Sequence, residues 1–479
     1  MKALIFLIIS ILLFSCKQEV SVDATLKQAG DNRAELEKVL EHYKNNNDKE
    51  KIEAAKFLIA NMMYKYSYEG DILTHYDTIF ELYQNIRKDS IYIGDPSSIR
   101  KVWDEVVNQH GKIDISRLQR NFDSQQLKGQ FLIDNIDQAF DVWRKSPYYN
   151  YDNVELFYEY ILPYRISHEP VESYRDRYYS MLKHIADTAT APLYLIKGFH
   201  DKLNKQEHFR SSSLMWDYPI ELPLSKLEIG RRGACRHLTT FGALAMRACG
   251  LPVTIDRAIW ANRSQGHSWN VLLLNDSIFP FDALSYSRLK MAYKPAKIFR
   301  KRFSVNFDLI EEVSINDIPA SFFIIDEIDV THEYINTCDI IVPMIHTTEQ
   351  YKKKKYGIIC VFDNNNWRPV YWGRIKSNNM IFKNMAVDIA YIAAYYDNGK
   401  VIPASEPFLV HADGRIEFCS VDKDKLMTLH LERKYPRFKR IEDHAWGLRR
   451  SNAEGANNPT FDNSIIFFSI YDIPLNVAD

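Results

Sequence analysis

The sequence has no surplus of positive charge. Its 479 residues carry 61 Lys and Arg against 62 Asp and Glu, a formal net charge of −1, so nothing marks nucleic acid as a partner. Metal motifs are missing too. The 14 histidines are scattered, and neither H-E-x-x-H nor C-x-x-C occurs. There is no glycine-rich phosphate loop, no calcium loop and no internal repeat, so no metal and no cofactor is expected. Long apolar runs are absent beyond Ala3 to Phe14, which is too short for the roughly 20 residues a membrane-spanning helix needs. Cysteine is scarce, with six in all, at positions 16, 235, 249, 338, 360 and 419. What is plentiful is core-forming material, at 46% hydrophobic and 13% aromatic residues.

Lys2 followed by the apolar stretch to Phe14 reads as a secretory signal. Leu13-Phe14-Ser15-Cys16 resembles a bacterial lipobox, which implies cleavage before Cys16 and lipidation of its thiol. Lys17, Gln18 and Glu19 follow without the Asp that retains lipoproteins in the inner membrane. The expectation is a cell-envelope protein anchored by lipid to the outer membrane, on its periplasmic face or at the surface. Lipidation of Cys16 leaves five cysteines. In an exported protein that odd number implies at least one free thiol.

A chain of this length predicts two to four domains, and the pattern divides it as an α+β protein. Residues 1–16 are the leader and 17–186 a helical domain, carried by runs such as "IEAAKFLIANMMYKY" and "LIDNIDQAFDVWRK" with apolar residues at helical spacing. Asp71 is placed to cap one helix, Gly111 to end another, and Pro163 to break a third. Residues 187–300 mix helices with three strand-like pieces, "VTIDRAIWANR", "HSWNVLLL" and "SIFPFDAL". Residues 301–340 read as a connector. From 341 to 479 short β-prone runs alternate with polar turns, and Asp397-Asn398-Gly399 signals a hairpin. That pattern predicts a C-terminal β-sandwich.

The chemistry gathers at "RRGACRHLTTFGALAMRACGLP", residues 231–252. Cys235 opens a helical run. A bridge to Cys249 on the same helix would span about 21 Å at 1.5 Å per residue, against the roughly 7 Å limit between bridged Cα atoms. A bridge to Cys338, Cys360 or Cys419 stays open. At a helix N-terminus the thiol pKa falls, and the unpaired N–H groups there can stabilise an oxyanion. Small residues at Gly233 and Ala234 leave room for substrate. His237 is two residues away and points to a different face. His267 begins a strand with Trp269 on its face. Asp282, in the apolar "FPFDAL", needs a partner and is placed to orient the imidazole.

The order G-A-C, a helix ending "MRACGLP", then H-S-W-N, then F-D-A-L resembles the transglutaminase-like fold. The likeness covers about 70 residues, 231 to 300. It implies a papain-like core, a Cys-bearing helix packed on an antiparallel sheet. By this resemblance Cys235 is the nucleophile, His267 the base and Asp282 the orienting acid. The family's D-P-[TS] is here Asp282-Ala283-Leu284. Upstream, "FYEYILPYRISHEPVESYR" resembles a segment that precedes transglutaminase-like domains in lipoproteins of Bacteroidetes-type bacteria. Tyr160, Tyr164, Arg165, Glu169 and Arg175 could line a cleft there, although for most of them packing of a helix–turn–helix on the catalytic core is the better reading. Substrate contacts are assigned to Trp216, Gly233, Trp269 and Arg165.

The expected activity is cleavage of a peptide or amide bond through a thioester, with a peptide or protein substrate. Two alternatives stand beside it. One is a transglutaminase that crosslinks proteins through an amine acceptor. The other is an inert scaffold whose C-terminal domain grips a protein or glycan, with Trp367, Tyr371 and Trp372 as the stacking surface.

Overall fold

The computed structural model describes residues 21–89, 95–146, 153–263, 266–275, 277–291, 293–306, 317–363, 366–419, 452–455 and 465–469. The expected leader, 1–16, and the lipidation site Cys16 lie outside the described residues. No described helix is long and apolar enough to cross a membrane.

The architecture mixes helices with antiparallel sheet. Toward the N-terminus the apolar spacing does what it predicts. Helix Gly129–Lys145 buries Leu132, Ile133, Ile136, Ala139, Phe140 and Trp143 along one stripe. Helix Lys49–Asn61 is capped by Asp48, whose carboxylate accepts from the Lys51 N–H at 3.1 Å. Asp71 makes no such cap bond, and the run after it divides into Ile72–His75 and Asp77–Asp89. Helix Ser97–His110 ends at Gly111 with φ of 86°. The expected all-helical region also contains a two-stranded antiparallel ribbon, Tyr66–Glu69 against Gln119–Phe122.

Pro163 ends the helix Val154–Tyr160 as expected, and buried arginines take up the carbonyls this break leaves bare. Arg175 donates to the Leu162 and Pro163 carbonyls at 3.1 and 3.2 Å and to Asn135 at 2.7 Å. Arg165 is ion-paired with Asp123, both side chains fully shielded. Tyr164 donates to the same Asp123 at 2.8 Å. Glu169 accepts from the Ser167 N–H at 2.8 Å. Tyr160, Tyr164, Arg165, Glu169 and Arg175 are therefore interior struts, the packing role preferred for most of them, and none lines a cleft.

The core that carries the site begins with α1 (Pro192–Asp201), α2 (Leu224–Gly230) and α3 (Cys235–Arg247). Strands β1 (Val253–Trp260), β2 (His267–Leu273), β3 (Ile278–Phe281), β4 (Pro295–Lys301) and β5 (Glu327–Asp329) form one antiparallel sheet in the order β3-β2-β1-β4-β5. Residues His237 to Arg247 of α3 are buried throughout, because the helix lies against β1 and β2 and is covered on its other side by the N-terminal helices. Gly242 permits that approach: a Cβ there would sit 2.8 Å from Asn270 Oδ1. Asn270 in turn donates to the Thr239 carbonyl at 2.8 Å, tying β2 to α3.

Strands β6 (Thr337–Pro343), β7 (Tyr356–Asp363), β8 (Asn366–Lys376), β9 (Asn379–Ala386), β10 (Ile389–Asp397), β11 (Lys400–Pro403), β12 (Phe408–Val410) and β13 (Ile416–Phe418) follow. They form one eight-stranded antiparallel sheet in the order β6-β9-β8-β7-β10-β12-β13, with β11 paired to β10. The sheet curls back on itself: a Cβ on Gly414, in the β12–β13 turn, would lie 3.5 Å from the Cβ of Cys338 on β6. Among the described residues a curled sheet, with a separate two-stranded ribbon of Asn452–Gly455 against Ile465–Ser469 beside it, stands where a two-sheet sandwich was expected. The hairpin at Asn398-Gly399 is present, with φ of 48° and 82°. Tyr371 and Trp372 fall on opposite faces, Tyr371 packing on Phe299 and Trp372 on Tyr356. Trp367 packs on Phe362. None of the three belongs to an exposed stacking platform.

Candidate active site

Cys235 is the first residue of α3, half-buried and free of any disulfide, as are the four other described cysteines. Its position follows from the turn before it. Gly233 forms a short parallel pairing with Ser211, and the Ser212 N–H donates to the Gly233 carbonyl at 3.0 Å. A Cβ on Gly233 would press on His237 Cβ at 3.0 Å and Leu227 Cδ1 at 3.1 Å. The absence of a side chain here serves interior packing, not substrate access, which corrects its expected role.

His237 points inward. Its Nδ1 accepts from the Ala234 N–H at 3.2 Å and its Nε2 lies 3.0 Å from the Ile220 carbonyl. That pairing requires the neutral tautomer with the proton on Nε2. Burial agrees, pushing the imidazole down to about 3. His237 is thus the polar anchor of the helix start, taking up one N–H that the turn would otherwise leave bare.

His267, first in β2, does face the thiol. It lies close enough to Cys235 for the imidazole to hold the thiol down and the thiol to hold the imidazole up, and its Nε2 lies 2.9 Å from Asp282 Oδ1. Nδ1 is thereby the nitrogen left for sulfur. Asp282 follows directly on β3, and pairing of β3 with β2 (Asn270 opposite Phe281) carries it to His267. The three residues named from the sequence are brought together, with the His267 and Asp282 side chains 36% and 46% exposed, so the pair opens to solvent.

The electrostatics favour an ion pair. Burial pushes the Cys235 thiol up, but the hydrogen bonds from His267 and the Ser268 N–H, and the charges of His267 and Arg236, outweigh it and bring it below the ordinary thiol value. His267 is raised to about 9, first by the hydrogen bond to Asp282 and then by that to Cys235, against desolvation. Between the lowered thiol value and about 9, thiolate and imidazolium coexist. Elsewhere burial raises Cys249 to about 12 and pushes Cys338, Cys360 and Cys419 up as well.

Trp269 is fully buried. Its Nε1 donates to Tyr334 Oη at 3.0 Å, and Tyr334 donates to Asp256 at 2.6 Å. Its ring centre is 5.9 Å from that of His267. Trp269 supports the imidazole from below and has no surface to offer substrate, contrary to its expected role; Arg165, shielded beside Asp123, has none either. Trp216 is 53% exposed, on a loop whose Met215 and Tyr218 carbonyls accept from Arg236. Asp95 holds the same loop, accepting from the Ser213 N–H at 3.0 Å.

Sequence reading passed over Arg236, the Ser268 N–H and His200. His200 is 1% exposed, edge-on to Phe281 at 5.6 Å, and held near 4 by burial, with Asp282 among the charges that oppose this. The adjacency of Arg236 to Cys235 was a usable signal. The other two depend on how α3 and α1 pack against the sheet and carry none.

Glu221 offers a test of the site's surroundings. Burial raises its carboxyl to about 7, against the charge of Arg236, and its Oε2 is shielded without a partner. A carboxyl raised in the folded state costs stability as pH climbs from the unfolded value to the folded one. Glu221→Gln is expected to stabilise the protein at pH 8 by on the order of 2 kcal/mol and to leave it unchanged near pH 4. Urea denaturation at the two pH values measures this.

No described His, Cys, Asp and Glu cluster could hold a metal ion. No family model matches the chain, and no curated protein matches it.

Proposed function

We propose that the chain is a cysteine-dependent acyl-transfer enzyme with a transglutaminase-like, papain-like core, which cleaves a peptide or amide bond through a thioester on Cys235. The observation that carries the reading is the convergence at a helix N-terminus of Cys235 with His267, whose Nε2 lies 2.9 Å from Asp282 and whose charge lowers the thiol. The thiolate attacks the amide carbonyl, and the first-turn N–H groups of α3 favour the oxyanion that forms. The His267 imidazolium gives its proton to the departing amine. Neutral His267 then accepts a proton from water or from an incoming amine, which attacks the thioester and releases the thiolate. Water as acceptor makes the enzyme a peptidase or amidase, and an amine makes it a transglutaminase. The half-open His267–Asp282 pair favours water. Trp216, on the loop that Arg236 clasps, is the aromatic available to flank the substrate.

The leader-like N-terminus supports placement in a bacterial cell envelope, anchored by lipid at Cys16 to the outer membrane.

An activated ester tests the reading without knowledge of the substrate. p-Nitrophenyl acetate should give a burst of nitrophenolate and an acetylated Cys235 peptide by mass spectrometry, both lost in Cys235→Ala. A burst that survives that substitution, or none in the parent protein, contradicts the proposal.

A further inference from the structure

A cavity of about 480 Å³ lies where the hairpin leading into His267 meets the eight-stranded sheet. Trp260, Arg263, Gly266, Phe322, Arg368 and Tyr396 are in its wall. Arg257 is there as well, and no carboxylate is among the described lining residues. Two of these arginines are engaged. Arg257 is paired with Glu327 at 2.6 Å. Arg368 braces the hairpin, donating to the Trp260 and Arg263 carbonyls at 2.6 and 2.7 Å, with Asp363 3.6 Å away. Arg263 differs from both. Among the described residues it has no carboxylate partner. Its guanidinium lies over the Tyr293 ring, 4.1 Å from the centroid, an arrangement that orients the planar group and leaves its N–H edge free to bind.

We infer that this cavity receives a carboxylate carried on the amine portion of the substrate, with Arg263 as its partner. The inference rests on the acyl-transfer reading, and chemistry sets the side. His267 must hand its proton to the departing nitrogen, so the amine portion lies on the His267 side of the scissile bond. Gly266, in the cavity wall, is one peptide unit from His267, about 3.8 Å between Cα atoms. Trp260, Phe322 and Tyr396 give apolar contact to the same portion. The reverse step uses the same site. An amine nitrogen attacks the thioester carbonyl, the C–N bond forms and the C–S bond breaks. The amine proton passes to His267, and the thiolate returns to its place beside the imidazolium.

Acceptor competition tests this. The acetyl-enzyme made from p-nitrophenyl acetate is offered Gly-Ala-Ala or its C-terminal amide, and acetylated peptide is measured. The carboxylate form should accept at least about tenfold faster, and Arg263→Ala should bring the ratio near one, with Arg263→Lys between. Gly-Ala-Glu amide shows whether a side-chain carboxylate serves as well as a terminal one; preference for either over the uncharged peptide supports the inference. Equal acceptors on an enzyme that does form acetyl-Cys235 overturn it and leave the acyl-transfer reading standing. Calorimetric titration of Gly-Ala-Ala into Cys235→Ala protein reads the cavity without catalysis. Binding weakened about tenfold by amidation and by Arg263→Ala supports the site, and binding indifferent to both overturns it.

Discussion

Alanine in place of His267 is expected to slow acylation of Cys235 at pH 7 by roughly 10²–10⁴-fold. Two contributions vanish together. The thiol loses the hydrogen bond and charge that oppose its desolvation, so the thiolate fraction at neutral pH falls. The leaving group also loses its proton donor. The signs make the pH dependence specific. With His267 present, the reactive ion pair persists until the imidazolium deprotonates near 9. Without it, reactivity appears only as the thiol ionises unaided, so the deficit is largest at low pH and narrows as pH rises. Asp282→Asn is milder. An amide oxygen still accepts from Nε2, but the charge that helps hold His267 up is gone. The alkaline limb of the burst rate should move down from about 9 toward the ordinary histidine value.

Arg165→Ala is expected to cost about 3–5 kcal/mol of stability. Arg165 and Asp123 are both wholly shielded, and removing the guanidinium leaves a buried carboxylate with the Tyr164 hydroxyl as its remaining donor among the contacts described. Lysine does not rescue it, since one ammonium cannot reproduce the fork that serves Asp123 and the Glu169 carbonyl together. Urea denaturation measures the loss. The acetylation burst per folded molecule should be unchanged, because Arg165 touches no part of the site. A variant of normal stability with a diminished burst would return Arg165 to substrate binding.

The contrast between these residues shows what a sequence makes legible. Cys235, His267 and Asp282 were readable because each sits at the boundary of an element: the first residue of a helix, the first of a strand, the first after a strand. Order and spacing along about 50 residues, set beside the transglutaminase-like pattern they resemble, were enough to single them out together. Arg165 and Trp269 were not readable, since their roles depend on partners far along the chain. Asp123 is 42 residues before Arg165, and Tyr334 is 65 after Trp269. An arginine or tryptophan near a motif looks the same whether it faces a cleft or a core. Gly233 misled for a related reason, as the space a missing side chain leaves has no direction until the neighbouring turn of α3 is in place. The β-prone runs after residue 340 were recognised as strands, but alternation does not say whether strands divide into two sheets or curl as one. That choice lies in pairings such as β6 with β9 and β12 with β13, which local pattern does not encode.

The most direct test is the pH dependence of Cys235 alkylation, resolved by mass spectrometry against the other cysteines, in the parent protein and in His267→Ala. Cys249 and Cys360 are buried, and all four remaining described thiols are pushed up, so they act as internal standards. The account predicts a Cys235 thiol that titrates well below the free value of about 8.5, and that returns to or above it when His267 is lost. A Cys235 that titrates like free cysteine, or one indifferent to His267, would contradict it.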